Sequence, residues 1–294
     1  MPNSAMGDGS RPLEALLKRD RAVVIAALVA GIVMSSIYLV SGAGMSMSAF
    51  EMSSLAMAFG ARDEASIGMA MLGAMGQTMA TPAVWTFDHA LLMFGMWWVM
   101  MIAMMLPSAA PMVLIHATAL RRGGTPSGGA HTPWPTAAFV LGYLLTWGLF
   151  SGIAAAAQWA FETSGLLSPM LMNSTNVLFA SAILLLAGAY QLTPLKRACL
   201  KHCRGPIAFL ARHWRPGAWG ALAMGLRHGA YCVGCCWALM AVLFFGGVMN
   251  LYWILGLAVL VLVEKVLPVG PRAGSVIGVL LAVWGGALML SVAI

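Results

Sequence analysis

Three of the five cysteines in this chain fall within five residues, behind a histidine and ahead of a long apolar run. They are Cys232, Cys235 and Cys236, and the histidine is His228. In a helix these positions are i, i+4, i+7 and i+8, so the four side chains share one face. Thiolates and an imidazole together suit a soft metal ion. The pattern predicts metal binding or thiol chemistry, with simple packing of small cysteines between helices as the alternative.

The other two cysteines, Cys199 and Cys203, are four residues apart, which would also place them on one helix face. Thr193 and Pro194 are suited to cap and begin that helix. If this segment folds back on the apolar run after Arg227, the thiols and His228 could meet in one Zn or Cu(I) site. Nearby cations would favour thiolate over thiol, and they are Lys196, Arg197, Lys201 and Arg227. Thiol–disulfide exchange is the competing use of the same thiols.

The composition excludes an ordinary soluble domain. The chain is 61% hydrophobic and 9% charged, whereas soluble domains carry about 25% charged residues. Apolar runs long enough to cross a bilayer predict an all-α, polytopic transmembrane helical bundle with about seven spans. The predicted spans are Ala22–Val40, Phe87–Ala119, Thr136–Phe161, Asn176–Leu192, His228–Met249, Leu251–Leu267 and Gly274–Ala293.

The basic residues predict the orientation of these spans. We expect residues 1–20 to form a cytosolic tail and 21–294 the transmembrane domain, with a Met-rich external loop at 44–85 and a basic cytosolic connector at 193–227. In that topology 15 of the 16 lysines and arginines lie on the cytosolic side, as the positive-inside rule requires. The net charge of +7 is then explained without a nucleic-acid partner.

The second span begins with Asp88 and His89 and carries a stripe of methionines spaced 3, 4 and 4 residues apart, namely Met93, Met96, Met100 and Met104. Thioethers bind Cu(I) without losing a proton, so this span could take up metal from outside. Core packing with an interfacial histidine is the alternative interpretation. Pro107 and Pro111 are expected to kink or break the helix.

Glu264 lies near the inner end of the sixth predicted span. A carboxylate at such a position is usually paired, and Lys265 or Arg227 are the expected partners. A metal ligand or proton carrier is the alternative. The sequence has no phosphate-binding glycine loop, Ser-His-Asp order or paired-carboxylate pattern, so an enzyme is not favoured.

Three separated segments carry a family resemblance. The first is Met100 to Pro107, read MMIAMMLP, followed by Pro111 and Met112. The second is Tyr190 to Lys196, read YQLTPLK, followed by Cys199, Cys203, Arg204 and Pro206. The third comprises His228, Gly229, Cys232–Trp237, Leu239, Met240, Asn250, Glu264 and Lys265.

In this order the segments resemble a bacterial family of predicted metal-binding integral membrane proteins, some of whose members are labelled copper chaperones. The resemblance implies a protein of the bacterial inner membrane that handles copper, and the Cys/His ligand set leaves zinc as the alternative ion. Its expected partners are the lipid bilayer and a membrane oxidase or another copper protein. The competing hypotheses are a membrane thiol–disulfide oxidoreductase using the CxxCC cysteines and a non-catalytic subunit of a larger membrane complex.

Overall fold

A computed structural model of the chain describes residues 10–44, 48–53, 85–122, 134–169 and 171–293. In these residues the regular structure is helical and no β-strand forms, which confirms the predicted all-α class. The helices are α1 (Ser10–Val40), α2 (Phe87–Arg122), α3 (Trp134–Thr163), α4 (Val177–Leu192), α5 (Pro194–Arg204), α6 (Pro206–His213), α7 (Gly217–Ala241), α8 (Leu243–Gly246), α9 (Leu251–Val266) and α10 (Gly270–Ala293). Most of the Met-rich segment 44–85 and residues 1–9 lie outside the described residues.

Five helices of the described chain are long and apolar enough to cross a membrane, in α1, α2, α3, α7 with α8, and α10. The count of candidate spans rises to six if α4 and α5, which are bent by 64° relative to each other, form one span together. The predicted count of seven is therefore not confirmed. Helix α9 forms where the sixth span was predicted, but its 16 residues extend only about 24 Å against a hydrocarbon core of about 30 Å.

Two boundaries differ from the sequence-based expectation. Helix α7 begins at Gly217 rather than His228, because the residues before Arg227 are apolar and Arg227 itself lies on an exposed face of the helix. Helix α2 continues through Pro107 and Pro111, so the expected break does not occur.

Helices α3 and α7 pack side by side and run parallel. Gly225 lies against the Phe139 carbonyl and Gly142 against the Leu222 carbonyl, so closely that a methyl group at either glycine would overlap that backbone. Small residues allow membrane helices to approach in this way. The contact fixes Tyr143 and the cysteine face of α7 relative to each other.

The bend between α4 and α5 is built from local hydrogen bonds at Thr193. The Thr193 hydroxyl donates to the Tyr190 carbonyl at 2.7 Å and accepts from the Lys196 backbone N–H at 3.2 Å. Pro194 occupies the first turn, where its missing N–H is not needed. The predicted cap and helix start are confirmed, and the bend turns α5 back onto α7.

Candidate metal centre

The cysteines of α5 and α7 come together at the bend. Cys232, Cys235 and Cys236 are each 1% exposed on one side of α7. The Cys203 Sγ of α5 lies 4.0 Å from the Cys235 Sγ. Cys199 packs one turn earlier on α5, against Gly234 of α7. The conditional expectation that the connector folds back on the cysteine helix is therefore met, and all five cysteines are free thiols.

A thioether joins the thiols from a third helix. The Met105 Sδ of α2 lies 3.9 Å from the Cys236 Sγ. With metal–sulfur bonds of about 2.3 Å, two sulfurs on one ion are at most about 4.6 Å apart. Both sulfur pairs satisfy this limit. Within the described ranges, however, no three Cys, His, Asp or Glu side chains are grouped as a ready metal site.

Lys265 of α9 places a cation against the sulfurs. Its Nζ donates to the Cys232 Sγ at 2.9 Å and to the Ser108 Oγ at 3.2 Å, and lies 3.8 Å from the Met105 Sδ. The Tyr143 hydroxyl lies 3.0 Å from the same Cys232 Sγ. Sequence reasoning proposed other cations for this role and missed both residues, since neither is near a cysteine in the chain.

Glu264 is held by partners other than the expected ones. Its carboxylate accepts from the Lys196 Nζ at 2.6 Å and from the Gln191 Nε2 at 2.9 Å, and both charged side chains are 2% exposed. The prediction of Lys265 or Arg227 as partner is wrong, because Lys265 points to Cys232 and Arg227 is exposed. The ion pair leaves Glu264 in a structural contact between α5 and α9.

Arg204 fastens the other end of α5 to α9. Its Nη1 donates to the Glu264 carbonyl at 2.6 Å and to the Leu267 carbonyl at 2.7 Å. These hydrogen bonds and the Lys196–Glu264 contact hold α5 in place, so that its Cys199 and Cys203 lie against α7.

His228 lies one helical turn before Cys232 and is 3% exposed. Its ring packs on Tyr143, with centroids 5.7 Å apart, and on Phe209 at 5.4 Å. Its Nδ1 has no hydrogen-bond partner in the part of the chain that the structure describes. His202, in contrast, stacks on Tyr231 and its Nδ1 contacts the Ala198 carbonyl.

The methionine stripe of α2 faces the interior. Met93, Met96 and Met100 are 0% exposed and Met104 is 3% exposed. Because Met105 follows directly, thioethers recur along α2 from its first turns to the cysteine cluster. Core packing and metal conduction are both compatible with this burial.

The other end of the stripe is linked to the surface by polar residues that sequence reasoning missed. The Gln158 Nε2 donates to the Met93 Sδ at 3.5 Å and to the Glu162 carboxylate at 2.8 Å. Glu162 also accepts from the Trp85 Nε1 at 2.8 Å, and the Trp85 ring meets His89 edge-on at 4.9 Å. Asp88 is exposed beside this group. Gln158 is 65 residues from Met93 in the chain and Glu162 is 77 residues from Trp85, so no local pattern marks either contact.

The family model PpoB2, described as copper chaperone, matches residues 94–288. The chain belongs to this copper chaperone family. The match confirms the resemblance read from the three segments and covers the cysteines, Met105 and Lys265, but begins after Asp88, His89 and Met93. No curated protein and no solved structure matches the chain.

Proposed function

We propose that this protein binds Cu(I) between its helices and passes it to another copper protein, as the name of its family suggests. The observation that carries the proposal is the 4.0 Å approach of the Cys203 and Cys235 sulfurs, which come from two helices and lie 32 residues apart in sequence. A shared ion would join α5 to α7 at this point.

The donor atoms favour Cu(I) over zinc. The closest groups are thiols and a thioether, Met105, and soft sulfur ligands select Cu(I). Structural zinc sites use four tetrahedral ligands from Cys, His or carboxylates, a set that does not include the Met105 thioether beside Cys236. Cys199, Cys232 and Cys236 supply further thiols around the proposed Cys203–Cys235 pair.

The route to this site is proposed to be the methionine stripe. Asp88 and His89 would receive copper at the outer end, and Met93, Met96, Met100 and Met104 would offer it successive thioethers toward Met105. The stripe is buried along one helix and ends beside Cys236. In this proposal the protein resides in the bacterial inner membrane with its N-terminus in the cytosol. A membrane oxidase would be one acceptor of the copper.

A thiol–disulfide oxidoreductase is the second candidate. The same Cys203–Cys235 pair would need to close from 4.0 Å to a disulfide length of about 2.05 Å. Such a protein would exchange electrons with a quinone or a thiol partner and hold little metal.

Metal analysis of the full chain, purified in detergent under reducing conditions after growth in copper, tests the proposal. Wild type should contain copper, and Cys203→Ser and Cys235→Ser should each lose most of it, because thiolate sites need several ligands at once. Met105→Leu should weaken retention, whereas Met249→Leu, a matched change at another buried methionine, should not. Wild-type copper in both serine variants, or none in wild type, would favour the redox or packing alternatives.

A further inference from the structure

Beyond the sulfur cluster lie two buried imidazoles whose nitrogens are not satisfied. His116 of α2 is 0% exposed, and neither Nδ1 nor Nε2 has a hydrogen-bond partner among the described residues. His228 of α7 is 3% exposed and its Nδ1 is likewise unpaired there. Buried polar groups are nearly always hydrogen-bonded. Two exceptions in neighbouring helices therefore point to a ligand that uses their lone pairs.

Both histidines pack around one aromatic ring of α3. The Phe139 centroid lies 4.7 Å from the His116 ring and 6.1 Å from the His228 ring. His228 also packs on Tyr143, one turn further along α3, whose hydroxyl contacts the Cys232 Sγ. The two imidazoles therefore continue from the sulfur cluster toward the end of the bundle at which α3 and α7 begin.

Each histidine has a buried methionine one turn away on its own helix. Met112 precedes His116 by four residues, and Met224 precedes His228 by four residues. Residues at this spacing are neighbours on a helix surface. Both methionines are 2% exposed and belong to the apolar cluster that also contains Phe139. Two imidazoles that pack on the Phe139 ring and two thioethers of the same apolar cluster thus come from two helices.

We propose that His116 and His228, with Met112 and Met224, form a second Cu(I) station that takes the ion after the cysteine site. This inference rests on the proposed function, since the cysteines supply the ion. Neutral imidazole and thioether bind Cu(I) without releasing a proton. In the transfer a copper–nitrogen bond to His228 forms as a copper–sulfur bond breaks. Copper remains Cu(I), so no electron donor or acceptor is needed.

The order of the two stations follows from ligand charge. The cysteine site can offer negatively charged thiolates, whereas the histidine station offers only neutral donors. Copper is therefore held more weakly after the transfer, which suits release at the end of a pathway. His228 lies one turn before Cys232 on α7, so it serves as the ligand nearer the cysteines and His116 as the one nearer the exit.

The test is a Cu(I) titration of the reduced full chain in detergent, read by bound copper and by X-ray absorption of the metal. Wild type should bind about two Cu(I) ions per chain, the first with sulfur neighbours and the second adding imidazole nitrogen. His116→Phe, which retains an aromatic ring against Phe139, should lose the second ion and keep the first. His213→Phe is the matched control, because the His213 Nδ1 already contacts the Phe209 carbonyl.

The outcomes separate this inference from the proposed function. If wild type shows sulfur neighbours only and His116→Phe binds the same copper, the histidine station is wrong while the cysteine site stands. If Cys203→Ser and Cys235→Ser retain the sulfur-bound ion, the proposed function fails first. Should His116→Phe not fold, the nitrogen signal of doubly loaded wild type still decides, since its absence overturns the proposal.

Discussion

The Lys265 ammonium group donates a hydrogen bond to the Cys232 sulfur at 2.9 Å in the interior of the helical bundle. The two residues come from α9 and α7, and the same ammonium reaches Ser108 of α2. A buried cation requires compensating partners, so this contact ties three helices to one thiol of the candidate metal centre.

Replacement of Lys265 by methionine should destabilise the metal-free protein more than the copper-loaded protein. Loss of the ammonium removes a hydrogen bond from a charged donor, which costs about 1.5–3 kcal/mol, and leaves the Cys232 sulfur in contact with the Tyr143 hydroxyl. Bound copper would supply that sulfur with a new partner, so the difference in melting temperature from wild type should shrink on loading. Thermal unfolding of both forms measures this, with Lys201→Met at an exposed site as the control. An equal fall in melting temperature in the metal-free and copper-loaded forms would show that Lys265 does not contribute to the metal centre.

The Lys196–Glu264 pair should stabilise the protein without either side chain being a metal ligand. Lys196→Met leaves Glu264 as a buried, uncompensated carboxylate, which typically costs about 3–5 kcal/mol. The double change Lys196→Met with Glu264→Leu should recover much of the loss, because neither charge then remains buried. Unfolding measurements on both variants, with Arg197→Met as the exposed control, test this expectation. Loss of copper in a folded Glu264→Gln protein would instead indicate that Glu264 is a copper ligand.

Gly225→Ala should disrupt the contact between α3 and α7. The added methyl group would overlap the Phe139 carbonyl, and the obstacle is backbone that cannot rotate away. Overpacking of this kind costs about 1–3 kcal/mol or more. Gly286→Ala is the matched control, since nothing lies within 4 Å of the added group. Equal melting temperatures for the two variants would contradict the close packing described above.

Glu162→Gln and His89→Ala should slow copper uptake at limiting supply without changing the copper bound at saturation. Both residues belong to the polar group that leads to Met93, remote from the cysteines. Uptake into proteoliposomes, followed over time at low copper, measures the effect. Thr163→Ala, an exposed neighbour of Glu162, is the control. Unchanged rates of copper uptake in both variants would indicate that the residues at this end of α2 serve only in packing.

Reporter fusions should establish the orientation of the bundle. A reporter at Gly205 is expected in the cytosol and one at Ser168 outside, because the basic residues concentrate on the side of the α4–α5 bend. Alkaline phosphatase and fluorescent fusions give opposite signals on the two sides. A cytosolic signal from Ser168 would reverse the proposed direction of copper movement.

Local sequence patterns predicted the features that depend on local physics. Apolar runs predicted the helices, and Thr193 with Pro194 predicted the start of α5, because capping and hydropathy act over a few residues. The number of spans could not be obtained in this way, because α4 and α9 are 16-residue helices whose crossing depends on their neighbours. Arg227 was read as a boundary, yet a single cation can lie on the exposed side of a continuous helix.

The contacts that define the candidate site join distant parts of the chain. Lys196 and Glu264 are 68 residues apart, Tyr143 and Cys232 are 89 apart, and Trp85 and Glu162 are 77 apart. No periodicity reports such pairings. The sequence therefore identified the cysteines as chemically important but not Lys265, Tyr143 or Met105 as their neighbours.

Met105 and Lys265 meet at the sulfur cluster although they are far apart in the sequence, and this separation has a consequence for biogenesis. These residues are separated by 160 positions, and the helices between them contribute Tyr143, Cys203 and Cys232. A ribosome-bound chain therefore has all the sulfur donors once α7 has emerged, but it cannot form the Lys265 contact to Cys232 until α9 has emerged and docked. Copper that arrives earlier meets sulfurs that lack the Lys265 hydrogen bond, so formation of the complete site coincides with the docking of α9 late in membrane insertion.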